Sequence, residues 1–196
     1  MPRLRDVLSP QPKLLLVGIN PGLRSGALGH HFAGNGNPFW RLLYEARLIP
    51  RPLTHEEDQR LADFGIALTN LCARPTRAAA ELTRDDIERG RRVLRQKCAR
   101  LRPRVVAFVG LSVYQMYFRL PASGGAGAKP ETIAGARVFV VPNPSGLNAN
   151  FPGFQHKLVW FEALRRFMGA RSPGEPTLRR NAPVAPKKPS KRTRDD

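Results

Sequence analysis

The chain has few cysteines and no long apolar segment, and both shortages limit what it can be. Only Cys72 and Cys98 occur among 196 residues, without a CxxC pair, so we expect buried free thiols and a reducing compartment. No iron–sulfur or structural zinc site is expected. No apolar run approaches the roughly 18 residues of a membrane-spanning helix, and no signal-peptide pattern is present. We therefore predict a cytoplasmic protein without a membrane partner.

Acidic residues are also scarce, with 15 Asp and Glu against 33 Lys and Arg, a formal net charge of +18. A chain this basic most often binds a polyanion, so nucleic acid is the leading partner and a membrane surface the alternative. Residues 170–196 are rich in Pro, Arg, Lys and Ser, with only Leu178 and Val184 as sizeable aliphatic residues. We predict that residues 1–169 form one domain and residues 170–196 a disordered basic tail.

The pattern of apolar residues predicts an α/β protein. Four short apolar runs are typical of buried parallel strands: residues 13–18, 66–70, 104–110 and 137–142. Helical patterns lie between or after them: residues 38–47, a helix opened by a capping box at Thr83–Asp86, and residues 111–118 and 155–168. The alternation predicts a three-layer α/β/α sandwich around a mainly parallel sheet of four to five strands.

Three of the four predicted strands lead into an asparagine: Asn20, Asn70 and Asn143. The carboxyl edge of an open α/β sheet is where ligands bind. A side-chain amide offers both a donor and an acceptor, which suits a pyrimidine edge, but it is not a general base near neutral pH. The alternative explanation is that asparagine merely tolerates turn geometry at these positions.

Two other kinds of site lack their sequence markers. The glycine-rich phosphate loops of nucleotide-binding hydrolases and transferases, GxGxxG and GxxxxGK[ST], are missing after the first strand. His30 and His31 are adjacent while His55 and His156 are scattered, so metal-ligand spacing is absent. We expect neither a metal ion nor another cofactor.

Three segments together resemble the mismatch-specific uracil/thymine-DNA glycosylases of the uracil-DNA glycosylase superfamily. They are Gly-Ile-Asn-Pro-Gly at 18–22, His-Phe…Asn-Pro-Phe-Trp at 31–40 and Asn-Pro-Ser-Gly-Leu at 143–147. The segment Thr69–Thr76 and the helix with Gly90 match as well, so the resemblance covers about residues 11–168. It implies an enzyme that flips uracil or a related base out of duplex DNA and hydrolyses its N-glycosidic bond. An abasic site would enter base excision repair.

The resemblance also implies roles for individual residues. Asn20 would hold the attacking water through its side-chain carbonyl. Phe32 would stack on the flipped base, and Ser25 would lie near C5 of the pyrimidine. The residues implied to bind the base are Ile19, Gly22, Ser25, Phe32, Asn70 and Asn143.

The loop after the last strand would fill the gap that the flipped base leaves. Leu147 would be an apolar wedge, and its neighbours would contact the opposite base; the group is Ser145, Gly146, Leu147 and Asn148. The alternative is that Leu147 anchors its loop on the core. We expect Arg24, Lys157 and the tail to contact DNA phosphates, while the arginines of residues 84–104 are a solvated outer face.

These expectations combine into a monomeric, monofunctional glycosylase acting on U·G mismatches in double-stranded DNA, with ethenocytosine and thymine opposite guanine as further substrates. No amine is placed among the strand-end motifs themselves to form the Schiff base of a lyase. Since the water is held rather than deprotonated, we expect comparatively slow hydrolysis. The alternative is a catalytically weak or inactive mismatch- or DNA-binding module on the same fold.

Overall fold

The computed structural model describes residues 4–121, 124–145 and 153–170. The strands are β1 (Leu14–Gly18), β2 (Ile66–Asn70), β3 (Val105–Val109), β4 (Gly127–Ile133) and β5 (Ala136–Val141). The α-helices are α1 (Leu23–Leu28), α2 (Phe39–Glu45), α3 (Arg84–Leu101), α4 (Leu111–Phe118) and α5 (Phe154–Gly169). Two 3-10 segments, His55–Phe64 and Ala79–Glu81, precede β2 and α3. The predictions for Gly146, Leu147, Asn148 and residues 171–196 lie outside the described residues.

One five-stranded sheet in the order β2-β1-β3-β5-β4 forms the centre of the fold. The first four strands in that order are parallel, with Leu14 opposite Ile66 and Gly18 opposite Asn70 between β1 and β2. Only β4 is antiparallel to its neighbour. The predicted α/β architecture with a mainly parallel sheet is therefore confirmed.

Successive strand residues enter opposite cores, as the pleat of a strand requires. Leu14 and Leu16 join a cluster with α2, α5 and the 3-10 segment His55–Phe64. Leu15 and Val17 join a second cluster with α3 and α4. The sheet is thus covered on both faces, which explains why its parallel strands are continuous apolar runs.

The sequence did not reveal β4, because this strand has no apolar run. Its sequence is Gly-Ala-Lys-Pro-Glu-Thr-Ile. The two end residues are buried, and the five residues between them are alternately exposed and half-buried. It is an edge strand, where a proline such as Pro130 and charged side chains are tolerated because one side has no partner strand. The helix α1 was also missed, since its six residues include Ser25 and Gly26.

The order of the strands locates a natural binding edge. From β1 the chain crosses to β2 on one side, and from β2 it returns past β1 to β3 on the other side. The two crossovers diverge between β1 and β3, and ligands of open α/β sheets bind outside the carboxyl ends of strands at such a point. None of the helices within the described residues has the length and apolarity needed to span a membrane.

Helix α3 lies unusually close to the backbone that follows β2. The predicted capping box is present: Thr83 Oγ1 accepts from Asp86 N at 3.1 Å, and Asp86 Oδ2 accepts from Thr83 N at 3.0 Å. Gly90 is buried in the second turn, and a Cβ there would collide with the carbonyl oxygen of Leu71. A glycine is therefore required for this helix to pack at its observed distance.

We predict that Gly90→Ala lowers the free energy of unfolding by about 1–3 kcal/mol, because the added methyl group must push α3 away from Leu71. The matched control is Gly169→Ala at the last residue of α5, where a Cβ meets nothing within 4 Å. Urea unfolding followed by circular dichroism measures both variants. Equal stability of the two variants would show that α3 is free to shift.

Candidate functional site

A cleft of about 920 Å³ opens at the carboxyl edge of the sheet. It is bordered by the turn after β1, the end of β2, the β3–α4 turn and the segment after β5. Every described residue of the predicted site lines it: Ile19, Asn20, Gly22, Ser25, Phe32, Asn70, Asn143 and Ser145. Residues far apart in the chain are thus brought to one place.

The side chain of Asn20 is held by its amide nitrogen. Nδ2 donates to Thr76 Oγ1 at 2.7 Å, to the Arg74 carbonyl at 2.9 Å and to the Pro21 carbonyl at 3.2 Å. The Thr76 hydroxyl donates its own hydrogen to the Ala78 carbonyl at 2.8 Å, which leaves its oxygen as an acceptor for Asn20. These contacts determine which end of the amide is the nitrogen. Oδ1 accepts no hydrogen bond from any described residue.

The Arg74 carbonyl is itself fixed by the side chain of the same residue. The Arg74 guanidinium donates to Asp86 Oδ2 at 2.7 and 3.0 Å and to the Glu81 carbonyl at 2.6 Å. Hydrogen bonds from Arg74, and then from the Thr83 N–H, hold the pKa of Asp86 well below its usual range. A charged pair at the start of α3 thereby fixes a backbone acceptor of Asn20.

Sequence reasoning assigned no role to Thr76 or Arg74. They stand 56 and 54 residues after Asn20 and contact it only because β1 and β2 are neighbours. The pairing continues beyond the strands, with an isolated parallel bridge between Gly22 and Thr76. No periodicity in the sequence marks such a contact.

Gly18 makes room for two other side chains of the cleft. A Cβ on Gly18 would collide with Asn70 Oδ1 and lie 3.5 Å from Phe32 Cζ. The ring of Phe32 in turn stacks on the fully buried Phe39, with centroids 3.7 Å apart and an interplanar angle of 17°. Asn70 and Phe32 therefore both lie beside the Cα atom of Gly18.

Ser25 holds the segment that carries Phe32. Its Oγ accepts from the Ala33 N–H at 3.0 Å, and the neighbouring Arg24 donates from Nε to the Ala33 carbonyl at 2.8 Å. Phe32 has a positive φ of 50°, which a residue of its size rarely adopts without such support. Ser25 is thus a small cleft residue whose hydroxyl also fixes the position of an aromatic ring.

The described lining of the cleft is nearly free of ionisable groups. Among its described lining residues only His31 and Arg77 ionise, and no carboxylate is present. Burial lowers the pKa of His31 below 6.5, against the opposing effect of its hydrogen bond to the Arg5 carbonyl, so its imidazole is neutral at pH 7.

The turn after β5 forms the opposite wall. Asn143 Oδ1 accepts from the Ser145 N–H at 2.9 Å. Lys157 of α5 donates from Nζ to the Pro144 carbonyl at 3.1 Å and to the Ser145 carbonyl at 3.0 Å. The expectation that Lys157 contacts a DNA phosphate is therefore wrong, because its ammonium group binds two carbonyls of the protein and the residue is only 3% exposed.

The rest of the cleft lining comes from segments that the sequence analysis did not assign to the site. These are the β3–α4 turn at 110–112, Gln115 and the segment 124–126 before β4. Gly110 has a φ of 121° and directly precedes α4. Its position at the end of a predicted strand was the one feature of the sequence that could have indicated a place in the cleft. The described residues contain no group of His, Cys, Asp and Glu side chains suited to a metal ion.

The environment of Asn20 selects an amide over a carboxylate. We predict that Asn20→Asp is less stable than the parent by about 1 kcal/mol or more, because a carboxylate oxygen would replace Nδ2 against the Arg74 carbonyl. Asn35→Asp is the matched control, since Asn35 is exposed and does not line the cleft. Chemical unfolding at pH 8 compares the two, and equal stabilities would contradict the hydrogen-bond assignment.

Comparison with known proteins agrees with what the geometry of the cleft indicates. A sequence profile of the uracil DNA glycosylase superfamily matches residues 5–165. The chain is 32% identical over 164 residues to a Schizosaccharomyces pombe protein named G/U mismatch-specific uracil DNA glycosylase. That match covers 79% of this chain and 50% of the relative, so the chain spans about half the length of the curated relative.

The fold is shared with a solved structure of low sequence similarity. The solution NMR structure of a Methanosarcina acetivorans protein, described as a candidate uracil DNA glycosylase, matches with a TM-score of 0.60 and 19% identity. It covers 86% of this chain and 98% of that protein. The profile match over most of the chain and the identity to the Schizosaccharomyces pombe protein lead to one conclusion: the chain belongs to the uracil DNA glycosylase superfamily.

Proposed function

We propose that this chain is a monofunctional DNA glycosylase that excises uracil from U·G mismatches in duplex DNA and leaves an abasic site. The observation that carries the proposal is the orientation of Asn20, whose Nδ2 is bound by the protein while Oδ1 has no donor among the described residues. The Schizosaccharomyces pombe relative is named for G/U mismatches, which supports this choice of substrate.

The chemistry follows from what the cleft contains. The water oxygen forms a bond to C1′ of the deoxyribose, the C1′–N1 bond breaks, and its electron pair leaves with the base as an anion. Asn20 Oδ1 accepts a hydrogen bond from the water and so orients it; the proton passes to solvent, because an amide is not a base near neutral pH. Without a carboxylate in the described lining, stabilising the departing anion supplies the main rate enhancement.

The same cleft offers the groups that would bind a flipped base. The backbone of Ile19 to Gly22 and the side chain of Asn143 would donate to the base oxygens, and Asn70 would contact its edge. Phe32 would stack on the base, since its ring is already held parallel to Phe39. Leu147 would fill the gap in the duplex, and it follows two residues after the cleft residue Ser145.

A strand-break assay tests the activity and separates it from the alternative of a binding module. The protein is incubated with a U·G duplex, and abasic sites are then cleaved with alkali. Strand breaks support the proposal, whereas retained binding without breaks would favour a catalytically inactive mismatch-binding protein. Duplexes with T·G, U·A and ethenocytosine·G measure the substrate range in the same experiment.

We predict that Asn20→Ala slows single-turnover excision by about 100-fold or more, because the water loses the group that orients it. Binding of an uncleaved U·G duplex is expected to change by less than about 3-fold, equivalent to under 1 kcal/mol. The control is Asn35→Ala, which removes an exposed amide outside the cleft. Excision by Asn20→Ala at the parent rate would reject Asn20 as the residue that holds the water.

Arg77 is the one described cation in the cleft lining, and it is exposed. We predict that Arg77→Ala weakens duplex binding and reduces the slope of log K against log salt by about one, as the loss of one phosphate contact would. Arg100, exposed near the far end of α3, supplies the control Arg100→Ala, whose slope should remain that of the parent. Identical slopes for both variants would remove Arg77 from the DNA interface.

A further inference from the structure

Lys157 is a buried cation without an acidic partner. The residue is 3% exposed, and no carboxylate among the described residues pairs with it. Burial lowers its pKa, as expected for an ammonium group removed from water. A buried charge is costly, and an apolar side chain of similar volume would fill the same space at lower cost. The position therefore calls for an explanation in terms of what the ammonium holds.

What it holds is one peptide unit of the cleft wall. Nζ donates to the Pro144 carbonyl at 3.1 Å, and in a trans peptide the N–H of the next residue points in the opposite direction. That N–H belongs to Ser145 and donates to Asn143 Oδ1 at 2.9 Å. The Pro144–Ser145 peptide is thus fixed at both ends, by an ammonium on one side and by the Asn143 amide on the other.

The second contact of Lys157 strengthens this restraint. Nζ also donates to the Ser145 carbonyl at 3.0 Å, so two successive carbonyls share one cation. Lys157 stands in the first turns of α5, whose Phe161 and Leu164 are fully buried against the sheet. The ammonium is therefore attached to a rigid element, and it transmits that rigidity to a turn that has no regular secondary structure.

We infer that Lys157 is a positioning residue: its ammonium fixes the Pro144–Ser145 peptide, and that peptide fixes the orientation of the Asn143 side chain in the cleft. The inference rests on the proposed function, in which Asn143 binds the base. Since Asn143 Oδ1 accepts from the Ser145 N–H, rotation of that peptide would remove this hydrogen bond and change the position of the amide. The base would then meet a donor in the wrong place.

The test compares Lys157→Met with Lys13→Met, a control at an exposed lysine outside the cleft. Single-turnover excision from a U·G duplex should fall about 10- to 100-fold in Lys157→Met, the usual cost of misplacing a binding group. Affinity for a duplex with an abasic site, which has no base to contact, should stay within about 3-fold of the parent. The amide signals of Asn143 in ¹H–¹⁵N NMR spectra should shift in Lys157→Met alone.

Two results would overturn the inference. One is excision by Lys157→Met within about 2-fold of the parent, a difference under 1 kcal/mol. The other is a parallel loss of excision and abasic-DNA affinity, which indicates general damage. If Lys157→Met does not fold, Lys157→Gln is judged by the same criteria, and failure of both to fold assigns Lys157 to stability alone.

Failure of the proposed function gives a different result. If the parent protein itself does not excise uracil, the glycosylase proposal fails, and the NMR arm then decides about Lys157. A shift of the Asn143 amide signals in Lys157→Met supports the positioning role, and unchanged signals reject it.

Discussion

The candidate site depends on the set of hydrogen bonds that holds the amide nitrogen of Asn20. Two carbonyls and a hydroxyl accept from Nδ2, so the side chain cannot turn without breaking these hydrogen bonds. One of those carbonyls belongs to Arg74, which is fixed by its ion pair with Asp86 at the start of α3. The orientation of one amide is thus supported by the contact of β1 with β2 and by the cap of a helix. A carboxylate at the same place would oppose these acceptors.

Close backbone approach is the second constraint on this edge of the sheet. Gly18 allows Asn70 and Phe32 to lie close to its Cα atom, and Gly90 allows α3 to reach the backbone at Leu71. Both contacts lie where β1 and β2 end, so the cleft and the packing of α3 are parts of one arrangement. The absence of a side chain at these two positions therefore shapes the site as directly as the groups that line it.

The charge of the whole chain and the charge of the cleft lining suit two different tasks, DNA binding and the reaction at the base. The chain carries a formal net charge of +18, yet the described lining of the cleft holds one exposed arginine and a neutral histidine. A positive protein surface attracts the phosphates of a duplex. A described lining without a carboxylate, by contrast, suits an uncharged base and leaves oriented dipoles to stabilise the anion that departs. Lys157 contributes to the cleft by holding a turn, although its charge alone suggests a phosphate contact.

The sequence by itself determined the parallel core strands, because buried strands require apolar runs. It also determined that the asparagines after these strands lie at one edge, because the carboxyl ends of parallel strands meet there. It did not determine β4, whose edge position removes the need for apolar residues. Nor did it assign Thr76 and Arg74 to Asn20, or distinguish a buried Lys157 from an exposed one. Burial and long-range hydrogen bonds arise only when distant segments pack, and so the tertiary structure alone decided which way the amide of Asn20 faces.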